Sequence, residues 1–543
     1  MAIAPIRELG SIGVITDIDA FDLPPKAFTM AVNARFADNK VQRGPVFRTV
    51  GALTKEPRSM VSFSDTNGSQ ITILCNLDGS TQTFVPSASY GTPTLTDISI
   101  GGYTPVNNEL PWTNSMMNDV VYLNRPDRVP WYRLRNGTTF TALPNWNVNW
   151  RCQSLRTFGG TVIALGPTKS GVYYPTTVTW SDLTTFQAYP GTWTPATNNS
   201  AGEVPLSDMA DVIIDGFPLR DRFLIYGSSE VWVMTQTLDN NVYSFKRAFR
   251  NGGVINQNCI VEIDGIHYVF GPYDIYKTDG FSKQSLCDNR VRKFIFNSMQ
   301  RTENYRFFAV HNPQLSEVEF FYVSNDGYTD FPYYPGAVTG CNRSATYNYL
   351  TDTWVFRDQP YIVYAGTGAI ASGQNYTLSG TYNATGGAYS SFGDASQKTF
   401  LVAGTTVAAQ SLVAAVYTFD QPDATGTNAP ISTVANAPMT LEKTWMDMDE
   451  VGAELRGYKV LSSLYPQGRF GSLSSNCTFT LAGAAYSGDS VAWESSQTYD
   501  GSTNYKLDFM SGGRYLSYKM TYSDLTAFSL SGFDADMTIT GSR

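Results

Sequence analysis

The chain has 543 residues, 42% of them hydrophobic, with 38 Lys and Arg against 47 Asp and Glu, a formal net charge of −9. That length exceeds one ordinary domain and suffices for a large core, while the acidic balance excludes a protein that grips nucleic acid through clustered basic residues. Aromatic residues reach 14%, 46 Gly and 27 Pro supply turns, and no long stretch carries apolar residues at helical spacing, so the chain reads as nearly all β.

Residues 1–50 form an arm. Its opening, MAIAPIRELG, has Arg7 and Glu8 where a signal peptide needs an apolar core. No apolar run is long enough to span a bilayer, so the expectation is a soluble protein made in a cytoplasm, without membrane insertion. Pro24-Pro25 cannot sit inside a paired central strand, which makes 13–48 a wrapping segment.

From 51 to 365 one sentence recurs: strand, tight polar turn, strand. It reads ITILCNLDGSTQTF at 71–84, VVYLNRPDRVPWYRL at 120–134 and VIALGPTKSGVYY at 162–174. It returns as FLIYGSSEVWVM at 223–234, YVFGPYDIYKTDG at 268–280 and VEFFYVSNDGYTDF at 318–331. Copies start roughly 40–60 residues apart, near the period of a four-stranded propeller blade. Each alone would leave a hydrophobic face wet, so several must pack together. The expected fold is an all-β propeller of about six blades. A last pair, ATYNYLTDTWVF at 345–356, is expected to close the ring with the strand that the first blade lacks.

Residues 366–438 change character, with Gly, Ala, Ser and Thr dominant. LVAGTTVAAQSLVAAVYTF at 401–419 still has enough Val, Leu and Tyr for strands, so this stretch is read as an inserted β-rich tip subdomain. Residues 439–543 alternate apolar and polar residues again and are read as a C-terminal β-sandwich platform, with Gly512-Gly513 as a hairpin turn.

Chemistry-bearing patterns are sparse. The two histidines, His267 and His311, lie in or beside repeat strands and read as structural. No HExxH, GxSxG, P-loop or GxGxxG-after-strand pattern occurs. Asp17, Asp19 and Asp22, and Asp447, Asp449 and Glu450, cluster without the glycine and trailing glutamate of a calcium loop, and read as solvated strand-end charges. The turns Asp78-Gly79, Asp279-Gly280 and Asp326-Gly327 lack the spacing and the tryptophan of sialidase-type turns, so ordinary hairpins explain them. The ten tryptophans read as core more than as sugar platforms. The six cysteines, with no CxxC pair, read as buried thiols. No catalytic, cofactor or metal residue is assigned.

Four stretches resemble the tail nozzle, or packaged-DNA-stabilisation, proteins of short-tailed bacteriophages. They are the arm at 13–50, with its Leu23-Pro24-Pro25 turn, an Asn and the closing Arg43-Gly44; VTWSDLTTF at 178–186; the block from FPLRDRFLIYGSSEVWVMTQT to YKTDG at 217–280; and the closing GRYLSYKMTYSDLTAFSLSGFDADMTITGSR. The resemblance thins at 366–432.

The resemblance implies a structural virion protein, not an enzyme. Six copies would ring the axis below the portal and its adaptor, continue the DNA channel, retain the genome and open for ejection. Tail fibres or spikes, and a needle or plug protein, would attach, and genomic double-stranded DNA would pass through without specific binding. The alternatives are a receptor- or glycan-binding tail protein and, less favoured for want of a signal peptide, a secreted polysaccharide hydrolase.

Overall fold

A computed structural model describes residues 2–542 apart from 67–69, 88–90, 102–108, 238–241, 328, 337–339, 370–396, 404–411, 421–430, 450–456, 471–476 and 489. Among the described residues helix is confined to Arg292–Ser298 and two 3-10 turns, Ala20–Asp22 and Arg301–Arg306. No helix among them is long and apolar enough to cross a membrane.

Residues 57–369 are built mainly from four-stranded antiparallel meanders in chain order. The first sheet holds Pro57–Ser64, Gln70–Asn76, Thr81–Val85 and Thr94–Asp97; the second holds Thr113–Met117, Val120–Asn124, Trp131–Leu134 and Thr141–Ala142. The third comprises Trp150–Phe158, Thr161–Lys169, Thr177–Trp180 and Gly202–Pro205, with Val172–Tyr173 as a side hairpin. The fourth comprises Ile213–Leu219, Arg222–Gly227, Glu230–Gln236 and Tyr243–Arg250, and the fifth Ile260–Ile263, Ile266–Phe270, Ile275–Thr278 and Lys283–Ser285. The sixth begins with Phe308–Asn312, Glu317–Tyr322 and Cys341–Asn348 and ends with the first part of Thr353–Ala369.

Two-residue turns set the register between first and second strands. Asn118-Asp119, Gly159-Gly160 and Asp264-Gly265 each have positive φ at both positions, the geometry of type I′ hairpins. Second strands are apolar on both faces because a neighbouring sheet covers each face. Val120–Asn124 is buried throughout, and Arg222–Gly227 is buried from its second residue on.

Each sheet packs on the next. Phe63, Ile73 and Ile98 of the first meet Trp112, Val121 and Trp131 around the second. Val120 and Tyr122 meet Leu155, Val162 and Trp193 of the third, and Ile163, Leu165 and Trp180 meet Phe223, Ile225 and Met234 of the fourth. Tyr226 of the fourth bonds His267 of the fifth, and Phe270 of the fifth sits 5.7 Å from Phe320 of the sixth.

A seventh four-stranded ladder, joined to the sixth through Thr353–Ala369, follows the six meanders. Beyond Tyr361, whose φ of 55° marks a bulge, residues 362–369 leave the sixth sheet and pair with Gln397–Ala403. That strand pairs with Ala415–Asp420, which pairs with Val46–Ala52 from the arm. Val50, Val363 and Val416 of this sheet pack on Met60, Leu74 and Phe84 of the first, and Phe308 of the sixth stacks on Tyr364 at 5.6 Å. The described strands of 366–438 therefore belong to this sheet and not to a separate tip. The rest of that stretch lies outside the described residues. The pair at 345–356 finishes the sixth sheet, and the first sheet supplies all four of its own strands.

Two more expectations shift. In the sixth repeat the third strand is Cys341–Asn348, because Asn342 ties the intervening loop through Ser324 (2.7 and 2.9 Å) and the Phe331 carbonyl (2.9 Å). Gly512-Gly513 is a crossover rather than a hairpin: Leu507–Gly513 pairs with Gly457–Phe470, while Tyr515–Tyr522 joins Met439–Met446 and Cys477–Ala484. A Cβ on Gly513 would lie 2.5 Å from the Ala484 nitrogen, so only glycine permits that passage.

The C-terminal residues make two facing sheets, and the arm is woven into both. Ala2–Arg7, Ala34–Ala37 and Lys40–Arg43 join Gly457–Phe470, Leu507–Gly513 and Phe528–Ser542 in one. Met30–Val32 lies between the sixth meander and Met439–Met446 in the other. Ile6, Leu461, Leu464 and Phe533 face Met446, Leu481, Leu516 and Tyr518 across the core, with Tyr518 and Phe533 edge to face at 5.0 Å.

Candidate functional site: an axial cup

The first strands of the second to sixth meanders, with residues 362–369 of the seventh, converge on one open cavity of about 530 Å³. Arg156 and Asn258 line its floor, and Met116, Glu262 and His311 its mouth. A second, water-sized space of about 10 Å³, lined by Arg58, Trp112, Asn256, Tyr305 and Phe307, shares Asn258 and Tyr364 with it.

The floor is a buried charge pair. Asp215 accepts hydrogen bonds from Arg156 Nε (2.9 Å) and Nη2 (2.6 Å), Ser154 Oγ (2.6 Å) and the Gly216 and Asn258 backbone nitrogens (2.9 and 3.1 Å). Arg156 also donates to the Asn114 carbonyl (3.0 Å) and to Asn258 Oδ1 (3.1 Å). Burial opposes its charge, and Asp215 outweighs burial, so the guanidinium stays ionised. Below, Arg306 makes a bidentate pair with Glu109 (2.8 and 2.7 Å), and Arg58 donates to the Tyr305 carbonyl at 2.9 Å.

The wall has two halves. Asn114, Ser115 and Thr157 of the second and third sheets, with Tyr364 of the seventh, present polar groups. Burial raises the Tyr364 hydroxyl despite its hydrogen bonds with Asn114 and Ser59. Across the cup, Phe217, Pro218, Ile260, Ala309 and Val310 of the fourth to sixth sheets are apolar. At the mouth His311 stands near Glu262, whose carboxylate accepts the Gly265 N–H at 2.6 Å. His311 Nε2 lies 3.2 Å from the Tyr349 hydroxyl, and burial lowers its pKa against the opposing pull of Asp264 and Glu262.

The other residues singled out by sequence are placed elsewhere. His267 is fully buried between the Tyr226 hydroxyl (2.8 Å) and the Pro218 carbonyl (2.9 Å), and burial lowers its pKa to about 4. Asp17 accepts the Lys293 backbone N–H at 3.0 Å, at the start of the helix, and Asp447 accepts that of Asp449 at 3.2 Å. Glu450 lies outside the described residues. Among the described residues no group of three or more His, Cys, Asp or Glu is placed to hold a metal ion. All six cysteines are buried and unpaired. Trp112, Trp131, Trp146, Trp180, Trp193, Trp232 and Trp354 are buried, and Trp150, Trp445 and Trp493 are half-buried. Sequence reasoning missed the cup, since its residues come from six separate strands with no shared motif.

Several polar side chains in the arm and the turns, or facing them, act as staples. Arg43 is caged by the Asn33 and Ala437 carbonyls, both at 2.7 Å, and burial lowers its pKa to about 10. A Cβ on Gly44 would meet the Asn33 oxygen at 2.6 Å. Lys443 donates to the Ala20 and Leu23 carbonyls beside the double proline. Asp182 accepts the Ser200 N–H at 2.8 Å, and Glu230 accepts that of Ala210 at 2.7 Å.

No protein-family model matches the chain, and no curated protein matches it. Among solved structures the chain is similar to the computationally designed Ika8 protein, at 9% identity and a TM-score of 0.35, over 69% of this chain and 99% of that one. A likeness that slight carries no argument, and the molecule stands on its own geometry as a mostly-β protein of small antiparallel four-stranded sheets.

Proposed function

We propose that the seven meanders are the blades of a β-propeller and that the protein is a structural component of a phage tail, a nozzle ring below the portal and adaptor. The reading rests on the ordered resemblance of four stretches to tail nozzle proteins. What supports it in the geometry is the use to which those stretches are put. Three of them carry staples to backbone groups, through Arg43 and the Ala20 and Leu23 carbonyls in the first, Asp182 in the second and Glu230 in the third. We read no reaction from this chain.

The DNA conduit of such a ring runs between copies, because a cavity of about 530 Å³ within one copy is too small for a duplex. Six copies carry about −54 formal charge, six times −9, which repels phosphates over the ~8 Å that charge acts at physiological salt. Contacts between copies are heterologous and must close by rotation. The arm and the C-terminal sheets, which lie outside the repeat, are assigned to those contacts.

Assembly tests the reading. Mixed with portal–adaptor rings, the purified protein should co-sediment with them and appear in negative stain as a six-fold ring. A monomer that ignores the adaptor, or cleavage of a polysaccharide by the purified protein, overturns it.

A further inference from the structure

The cup is more than a gap on the axis, because its two halves differ in chemistry. One arc, from the second and third sheets and Tyr364, offers amide and hydroxyl groups, with the Ser115 and Thr157 hydroxyls donating to the Leu155 and Met116 carbonyls and able to accept; the opposite arc, from the fourth to sixth sheets, offers Phe217, Pro218, Ile260 and Val310 beside Asn258, Glu262 and His311. At the floor Arg156 has five N–H groups, and four are committed to Asp215, Asn114 and Asn258. Nη1 has one N–H beyond those four, and Arg156 lines the cavity. The charge of Arg156 is cancelled by Asp215, so an anion gains little there. Glu262 at the mouth, in a chain of net charge −9, repels one. The volume of about 530 Å³ falls within the ~300–1,000 Å³ typical of small-molecule sites.

We propose that the cup binds a neutral, hydroxyl-rich small ligand, a saccharide of one or two rings. Its apolar C–H face lies on the Phe217 and Val310 side. Its hydroxyls meet Asn114, Ser115, Thr157 and Tyr364, and one accepts an Arg156 N–H. The site is independent of the nozzle reading, since it uses one copy and neither the arm nor the C-terminal sheets.

The test is isothermal titration of the full chain with glucose, N-acetylglucosamine, lactose and maltose, and with glucose 6-phosphate as the charged counterpart. At least one neutral sugar is expected to saturate with a Kd of ~10 mM or tighter. Thr157→Trp, which fills the mouth, is expected to weaken it at least tenfold while leaving the unfolding midpoint unchanged. Thr138→Trp, on an exposed turn, is expected to bind as the unmodified protein does. Should Thr157→Trp disturb folding, Met116→Trp, at a mouth position 43% exposed, takes its place. Saturation by none of the neutral sugars, equal affinity in the filled variant, or tighter binding of glucose 6-phosphate than of glucose overturns the proposal.

Discussion

Arg156 of the third sheet and Asp215 of the fourth are joined by two hydrogen bonds, 2.9 Å from Nε and 2.6 Å from Nη2, with both side chains buried. Through Asn114 and Asn258 the same pair reaches the second and fifth sheets. One ion pair thus ties four sheets at the point where their first strands converge. Removing one partner strands the other as a buried charge. Asp215→Ala is expected to cost about 3–5 kcal/mol, a large share of a typical ~5–15 kcal/mol total. Urea unfolding measures it, and a loss below ~1 kcal/mol would show the pair to be dispensable.

The contact between the seventh sheet and the first gives a second prediction. Leu74 is fully buried there beside Val363 and Val416, whereas Leu350 is 74% exposed on a turn. Leu74→Ala should destabilise by about 2–5 kcal/mol and Leu350→Ala by no more than ~0.5 kcal/mol. Equal effects would mean that the seventh sheet does not close on the first.

Two buried groups impose opposite pH dependence. Glu319 shares Arg357 with Glu317, each at 2.7 Å, and burial pushes its pKa up from 4.5 to about 7. Between those values the folded state keeps a proton that the unfolded state has released. Its contribution is therefore full below about 4.5 and is lost as pH rises through about 7. His267 runs the other way. With a folded pKa of about 4 against an ordinary 6.5, its contribution is present above 6.5 and lost as pH falls towards 4. Glu319→Gln should flatten the fall in stability between pH 5 and 7, and His267→Asn the fall below pH 6, in guanidinium unfolding at stepped pH. A Glu319→Gln profile parallel to that of the unmodified protein would refute the assignment.

The thiols offer a simple check. Burial raises the pKa of all six cysteines, and the thiolate is the reactive form. A disulfide exchange reagent at pH 8 should react with none of them quickly in the native protein and with all six in denaturant. Fast labelling of any native cysteine would contradict the packing described.

Much of this fold was legible because the second strand of each meander is buried on both faces and so reads as an apolar run, as in VVYLN and FLIYG. The seventh sheet was not legible. Its strands come from Val46–Ala52, 362–369, Gln397–Ala403 and Ala415–Asp420, so no continuous strand–turn–strand sentence exists to be found. The Asp78-Gly79 and Asp279-Gly280 turns were visible as dipeptides, yet Asn118-Asp119 was hidden, since it adopts positive φ at both positions without a glycine. The cup escaped because Asn114, Arg156, Phe217 and Tyr364 are scattered over 250 residues and meet only through the order of the sheets.

The most direct measurement is cryo-electron microscopy of the protein assembled on its adaptor ring. The expected map shows six copies about a common axis, each with seven four-stranded sheets around a small cup, and the conduit between copies. A map with the conduit running through the sheets of a single copy, or with no such wheel of sheets in the protomer, would contradict it.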